Sequence, residues 1–549
     1  MQEKKNAFGR LLRRAAGIWP EREAVVFPDY SESFGGLHAR AMLRAKQFLA
    51  LGVQPGEHVG VLLGTSPEFL EVMFGIAYAG AVVVPINARY RGEEIAYLAG
   101  NADLVTIVTT GQVTEGLNFV QRLLEGLPGL ASCTDARALA LEDTPRLRNV
   151  LVLGAGAVAA LTSEADIAAA AAQVEESAIA SRIDAVGDDD TALILYTSGT
   201  TSRPKGCLLS GRAIIGNGRS LAESYRMGAE DRFWSPLPMF HIAATLPICA
   251  CLDVGAAYVT LGYFDAGVAL RQLHAGGVTV AYPCFVTIIS DLLDHPDFAA
   301  TDLRAVRVMN SNLAMQPPGF AARLKQAMPD CVQVGTYGMS EACGTVSTSP
   351  LDSPEALRIS RLGSPMPGQE VRILDPETGL EVPAGQHGEV VVRGPNLMKG
   401  YYRDPEKTAQ TLRDGWLHTG DVGSVDEHGT IMFHSRLKDM MKVGGENVAA
   451  AEIESLLQQH PGVKLAQVVG VADARLVEVP AAFIERVPGT SATEEELIGW
   501  CRGKIASFKV PRHVRFVTAW PMSTSKIQKF SLRKTLETEL AAAATPEPR

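Results

Sequence analysis

The stretch that decides the fold is Ile194-Leu-Tyr-Thr-Ser-Gly-Thr-Thr-Ser-Arg-Pro-Lys-Gly206. An apolar run, Ala192–Tyr196, reads as a strand and leads straight into six small or hydroxyl residues, Thr197 to Ser202. Small residues such as Gly199 let the backbone approach a ligand closely, so several N–H groups can aim at one anion. The hydroxyls of Thr197, Ser198, Thr200 and Thr201 add donors, and Lys205 adds a full positive charge. Together these residues make a cradle for a polyphosphate. The loop is not of the G-x-x-x-x-G-K-S/T type, because Pro204 precedes Lys205 and Gly206 follows it. Read without its neighbours, the same stretch is a Ser/Thr-rich turn leading into a helix.

Outward from this loop, short apolar or β-branched runs alternate with helix-like stretches. Val59–Leu63, Ala81–Pro85, Asp103–Thr109 and Val150–Leu153 read as strands, and Glu68–Gly80 reads as a helix. Such alternation predicts an α/β fold with mostly parallel, buried strands. The Ala-rich segment Ala155–Ile183 reads as helix and surface loop, and Ala541–Arg549 as a frayed tail. Near residue 430 the pattern changes. Thr430–His434, Val463–Val471 and Pro480–Arg486 read as strands separated by turns, with helices at Ala451–Gln459 and Glu494–Ile505. The chain therefore divides into a large N-terminal domain, 1–435, of parallel and mixed sheets flanked by helices, and a small α+β domain, 436–549, with the boundary at about Ser435–Asp439.

Composition narrows the function. Of 549 residues, 51 are Lys or Arg and 61 are Asp or Glu, for a net charge of −10. A mildly acidic chain without a basic run is a poor partner for nucleic acid or an anionic membrane. Cys133, Cys207, Cys249, Cys251, Cys284, Cys331, Cys343 and Cys501 form no CxxC pair, and no His cluster stands at metal spacing. Scattered thiols of this kind fit a reducing cytoplasm, so a cytoplasmic location is expected. The N-terminus has no apolar core of signal-peptide length. Its arginines give a faint transit-peptide look, but Glu3 and Glu21 argue for a first surface helix. The most apolar stretch, Ile242–Phe264, is broken by Pro247, Asp253 and Gly255, so no stable membrane insertion is expected.

The order of further motifs carries a resemblance. After Tyr196–Gly206 come Pro236-Leu-Pro-Met-Phe-His241, Gly335-Thr-Tyr-Gly-Met-Ser-Glu341 and Gly415-Trp-Leu-His-Thr-Gly-Asp421. Arg436-Leu-Lys-Asp-Met-Met-Lys-Val-Gly-Gly-Glu-Asn-Val448 follows, and then Ser525-Lys526-Ile527. From about Phe8 to Leu536 the chain resembles the acyl-adenylating superfamily of acyl-CoA synthetases, luciferases and peptide-synthetase adenylation domains. Ser202 and Ser525 stand where glycine is usual, and Ser-Arg-Pro-Lys looks like the crotonobetaine/carnitine-CoA ligase branch.

The resemblance implies an acid–thiol ligase that uses ATP, Mg²⁺ and coenzyme A. An acid is first joined to AMP with loss of pyrophosphate, then passed to the CoA thiol. It assigns Lys526 to bridging the acid and the α-phosphate, and Thr197 with Lys205 to the phosphates. Glu341, aided by Thr197, would hold Mg²⁺, which suits hard oxygen ligands. Tyr337 would stack on adenine, with Asn312, Thr336, Gly338 and Ser340 nearby. Asp421 would accept from the ribose hydroxyls, near Arg436 and Thr419. Lys438 would be the hinge of a mobile small domain. The swing of that domain would exchange Lys526 for Gly444 and Gly445, whose backbone can approach a pantetheine arm. His241 would border the acyl pocket, with Tyr282–Ile289, Asn310–Asn312 and Gly338–Thr345. The Asn310-Ser-Asn312 wall is more polar than the usual small, Gly-rich stretch, which points to a polar or short acid. A monomer or homodimer is expected.

Rival readings remain open at this level. An adenylating enzyme could pass its acyl group to an acceptor other than CoA. Nothing after Lys526 is long enough for a carrier domain, which counts against a peptide-synthetase module. Gly338-Met-Ser340-Glu-Ala342 imitates a nucleophile elbow, and His387, His418, His428 and His434 lie downstream, so a serine hydrolase using Ser340 is conceivable. Gly154-Ala-Gly156-Ala-Val-Ala159 with Glu175 imitates a dinucleotide fingerprint but lacks an amphipathic helix behind it.

Overall fold

The computed structural model describes the chain except residues 1–6, 114–115, 134, 137–138, 155–160, 198–202, 317–318, 438–439, 444–445, 474, 524–525 and 545–549. Runs such as Val82–Pro85 and Asn149–Leu153, apolar on both faces, form strands buried on both sides, which requires helices above and below them. They lie in an eight-stranded sheet. Its order is Gly400–Tyr401, Lys205–Ser210, Thr191–Thr197, Val82–Pro85, His58–Leu62, Leu104–Thr110, Asn149–Leu153 and Thr162–Ser163. The strands from Thr191–Thr197 outward to Thr162–Ser163 are parallel. Lys205–Ser210 and Gly400–Tyr401 are antiparallel.

The strands read from sequence are present with ends moved by a few residues, and Glu68–Gly80 is the helix Pro67–Tyr78. After the loop the chain continues as the strand Lys205–Ser210, which pairs back along Thr191–Thr197 from Thr197↔Lys205 to Thr191↔Ser210. The helix, Gly211–Ser224, begins only after that strand, capped by the Ser210 hydroxyl accepting from the Ala213 N–H.

A seven-stranded sheet, mostly parallel, faces a shared apolar core. Helix Phe8–Ile18 belongs to that core. It buries Phe8, Leu11, Leu12, Ala15 and Ala16 and stacks Phe8 on Phe74 at 5.1 Å. Its arginines go to Asp184, Asp188 and Asp253. The apolar stretch after His241 is the helix Ile242–Val254, ended by Gly255 at φ +80, and the strand Ala257–Val259. A Cβ on Gly255 would sit 2.5 Å from the Trp19 ring, so glycine is required there. Among the described residues no helix is long and apolar enough to cross a membrane.

Two smaller sheets carry the rest of the N-terminal part. Thr336–Met339, Gly344–Thr348 and Ser364–Pro365 form one. Glu370–Leu374, Gly388–Arg393, Trp416–Val425, Leu412–Arg413 and Ile431–Arg436 form the other. The C-terminal unit is a five-stranded sheet built on the long pair Val463–Asp473 and Val477–Arg486. Ile453, Leu457 and Leu497 pack on one face, and Leu532 and Leu536 of helix Lys529–Ala544 on the other. The last strand of the preceding sheet ends at Arg436 and the first of this one begins at Met440. Lys438 lies outside the described residues.

The tip of that long pair is strained. Val477 stands at φ +71 and is 66% exposed. A β-branched residue crowds its own backbone in this region, at a cost of about 1–2 kcal/mol. Val477→Gly is expected to stabilise the C-terminal unit by about 1 kcal/mol, read as a higher urea midpoint. A lower midpoint would contradict it.

Candidate active site

Two groups of predicted residues come together on the described chain. The first lies at the hairpin of Thr191–Thr197 with Lys205–Ser210. Thr197 ends one strand and Lys205 starts the other, directly opposite. Ser198, Gly199, Thr200 and Thr201 lie outside the described residues. The hairpin is held from outside. Tyr196 donates from its hydroxyl to Asn101 Oδ1 at 2.6 Å, and Tyr97 to the Pro204 carbonyl at 3.2 Å. The Arg203 guanidinium lies 4.9 Å from the Tyr97 ring centre. Burial lowers the Lys205 ammonium from its usual range, and Lys407 acts in the same direction.

Glu341 reaches this hairpin from the 3-10 turn Ser340–Ala342, between Thr336–Met339 and Gly344–Thr348. Its Oε1 accepts from the Tyr401 hydroxyl at 3.0 Å. Its backbone carbonyl accepts from Met398 N–H at 2.8 Å. Gly338 lets the two strands close, since a Cβ there would sit 2.1 Å from the Gly344 carbonyl. The donors present, a carboxylate and the Thr197 hydroxyl, are the hard oxygens that Mg²⁺ takes.

The second group is built on the same hairpin. Tyr337 donates its hydroxyl to Asp421 Oδ2 at 2.7 Å, and Arg436 Nε lies 3.1 Å from Asp421 Oδ1. Asp421 and Arg436 are register partners across their strands. Asp421 is only 2% exposed, and a buried carboxylate is tolerated when it is paired in this way. Burial, with Asp421 beside it, pushes the Tyr337 phenol well above its usual pKa, so it stays a donor. The Tyr337 ring packs with Val346, Val390 and Leu417.

The loop that carries Asp421 is pinned from behind. Glu389, a residue the motifs did not mark, accepts from the His418 ring at 2.8 Å and from Gly420 N–H at 3.1 Å. Thr419 donates to the Val390 carbonyl at 2.6 Å and accepts from Asp421 N–H at 3.1 Å. On the other side, Asn312 at φ +52 accepts from Thr336 N–H at 3.0 Å. Asn310 donates to Tyr225 and Thr336, both at 3.0 Å. These bonds tie both asparagines to the Thr336 hairpin. Among the described residues, buried Asn310 Oδ1 and Ser311 Oγ have no hydrogen-bond partner.

His241 precedes helix Ile242–Val254, its ring 4.8 Å from that of Phe240. The same helix packs on the hairpin at Gly344, where a Cβ would sit 2.9 Å from Leu246. No group of three or more metal-ligating side chains is found among the described residues. Gly444 and Gly445 lie outside the described residues. Lys526 opens the strand Lys526–Ile527, paired with Met522–Ser523. Lys529, its near neighbour in sequence, is committed elsewhere, with Nζ 2.6 Å from Glu454 Oε1. Among the described residues, no hydrogen bond joining Ser340 to a histidine is found. His418 is held by Glu389, and His434 bonds Ser424 and stacks on His387 at 3.8 Å. The hydrolase geometry is therefore missing among the described residues.

Residues 12–402 match the AMP-binding enzyme family, and residues 452–526 match the AMP-binding enzyme C-terminal domain. The chain belongs to the AMP-binding enzyme family. This AMP-binding enzyme is 32% identical over 537 residues to a feruloyl-CoA synthase of an Amycolatopsis species, covering 95% of this chain and 99% of that one. Its fold is similar to that of ATP-bound MatB from Rhodopseudomonas palustris, at TM-score 0.81 and 28% identity, over 96% of this chain and 99% of that one. It is also similar to the anthranilate CoA ligase AuaEII in complex with anthranoyl-AMP, at TM-score 0.82 and 26% identity, over 98% of each chain.

In this AMP-binding enzyme Glu389 holds the turn that presents Asp421. Glu389→Gln removes the charged acceptor while keeping the volume. The KM for ATP is expected to rise roughly tenfold, with a smaller change in kcat. Steady-state kinetics at varied ATP check this, and an unchanged KM would refute it.

Proposed function

We infer that this enzyme is an AMP-forming carboxylate–CoA ligase that uses Mg·ATP. The observation that carries the reading is the single hairpin, Thr336–Met339 with Gly344–Thr348, that delivers Glu341 to the phosphate strands and Tyr337 to Asp421. One end of a nucleotide is phosphate and the other is ribose and base, and the hairpin serves both.

Joining a carboxylate to ATP brings two anions together, so their repulsion must be cancelled at fixed geometry. The acid oxygen attacks the α-phosphorus and pyrophosphate leaves. The CoA thiolate then attacks the acyl carbon and AMP leaves. No covalent enzyme intermediate is needed. Thr197 and Lys205 hold phosphate oxygens. Glu341 and Thr197 would hold Mg²⁺, which would supply charge neutralisation for the departing pyrophosphate. Asp421 takes the ribose hydroxyls in exchange for its Tyr337 and Arg436 contacts, while Tyr337 turns its ring to adenine. Asn312, Thr336, Gly338 and Ser340 line that site, and His241 borders the acyl pocket.

Lys526 steers the acid onto the α-phosphate. The alternative, Lys529, is tied to Glu454. The units are 1–435 and 436–549, with a hinge at Lys438. Rotation there exchanges Lys526 for Gly444 and Gly445 in the second half-reaction. The site is cytoplasmic, and the enzyme acts as a monomer or homodimer. The acid is polar or short, because Ser311 Oγ and Asn310 Oδ1 offer unspent polar atoms in a buried wall.

Two measurements test these roles. Lys526→Ala is expected to cut carboxylate-dependent exchange of pyrophosphate into ATP by about two to three orders of magnitude. It should spare thiolysis of a supplied acyl-adenylate, and Lys529→Ala should retain exchange. Equal loss of both halves in Lys526→Ala would overturn the swing. In an AMP-release screen with CoA present, short or hydroxylated acids should turn over faster than palmitate. A preference for palmitate would overturn the substrate reading, and acyl-adenylate formation without thioester would overturn CoA as acceptor.

A further inference from the structure

We propose that Tyr401 is a positioning residue for the adenylation step, its hydroxyl setting the Glu341 carboxylate and its ring supporting the Lys205 ammonium. The proposal rests on the ligase reading and adds to it a residue outside every motif quoted above.

Tyr401 reaches the site from far along the chain. The short strand Gly400–Tyr401 pairs with the phosphate hairpin, Tyr401 opposite Cys207 and Gly400 opposite Leu208. Lys205 and Cys207 are two residues apart and so share a face of their strand. A cross-strand diagonal brings long side chains within reach. Lys205 Nζ accordingly lies 5.5 Å from the Tyr401 ring centre, within cation–π range. Backbone bonds fix the pairing on both sides, from Lys399 N–H to the Leu208 carbonyl and from Tyr402 N–H to the Gly206 carbonyl, each 2.8 Å. Gly400, at φ +146, lies so close to Thr408 that a Cβ would sit 2.8 Å from its Cγ2, and the Thr408 hydroxyl accepts from Tyr401 N–H at 2.8 Å.

The same segment also grips the Glu341 turn. Asn396 Nδ2 donates to the Ala342 carbonyl at 2.7 Å, and Met398 N–H to the Glu341 carbonyl at 2.8 Å. The Tyr401 hydroxyl completes this strap at Glu341 Oε1. On the ligase reading this carboxylate is the one that would hold the metal. A neutral phenol donating to a carboxylate makes a charge-assisted bond. Burial and the neighbouring Glu341 charge keep that phenol protonated. A ring present only to fill the core would need no hydroxyl, so phenylalanine separates the two roles.

The test uses the full-length enzyme with Tyr401→Phe and Tyr401→Leu. ATP binding is measured by calorimetry across a Mg²⁺ series with no acid present, so nothing turns over. Pyrophosphate exchange is measured alongside. Tyr401→Phe should raise the Mg²⁺ needed for half-maximal ATP binding roughly tenfold, with a smaller drop in kcat at saturating Mg²⁺. Tyr401→Leu should add a further rise, roughly threefold, in the ATP dissociation constant at saturating Mg²⁺, because the ring under Lys205 is gone. An unchanged Mg²⁺ dependence in Tyr401→Phe would overturn the proposal, as would lower thermal stability as its sole effect. If Tyr401→Leu does not fold, the phenylalanine variant still decides. Absence of acid-dependent exchange in the wild type would instead strike at the ligase reading, leaving the calorimetric result to judge Tyr401.

Discussion

The antiparallel pairing of Lys205–Ser210 with Thr191–Thr197 is the constraint on which the site depends. It turns a parallel sheet into a mixed one at its edge. That edge can then accept a short strand from a remote segment, Gly400–Tyr401, which would have no place beside a helix. Through that strand Lys205, the Glu341 turn and the Asn396–Tyr401 strap are tied together.

The second constraint is the burial of Asp421. A carboxylate at 2% exposure must be matched by donors, and the protein supplies Tyr337 and Arg436. These are the groups that the functional reading places around ribose and adenine. On the proposed function, nucleotide binding would exchange these internal partners for ligand hydroxyls, which would keep the carboxylate paired in low dielectric. Glu389 behind the loop holds both the His418 ring and the Gly420 N–H.

The C-terminal unit follows a different logic. Its sheet has a hydrophobic layer on each face and so makes its own core. A unit with a separate core can change its orientation without unfolding. Lys529 is tied to Glu454 of the same unit.

Much of this was legible in the chain. The period of apolar residues marked the buried strands, because a strand covered on both faces must be apolar throughout. The motifs singled out Glu341, Tyr337 and Asp421, which the structure links through one hairpin. Tyr401 and Glu389 were not legible. Each acts across a distance in sequence that only strand pairing closes, and no local spacing announces it. The same holds for the bonds of Asn310 and Asn312 to Thr336. Sequence alone determined which chemistry was present, since charge and hydrogen-bonding capacity belong to each residue. Tertiary structure alone decided which of those groups face one another, since that depends on sheet register and burial, which belong to no single residue.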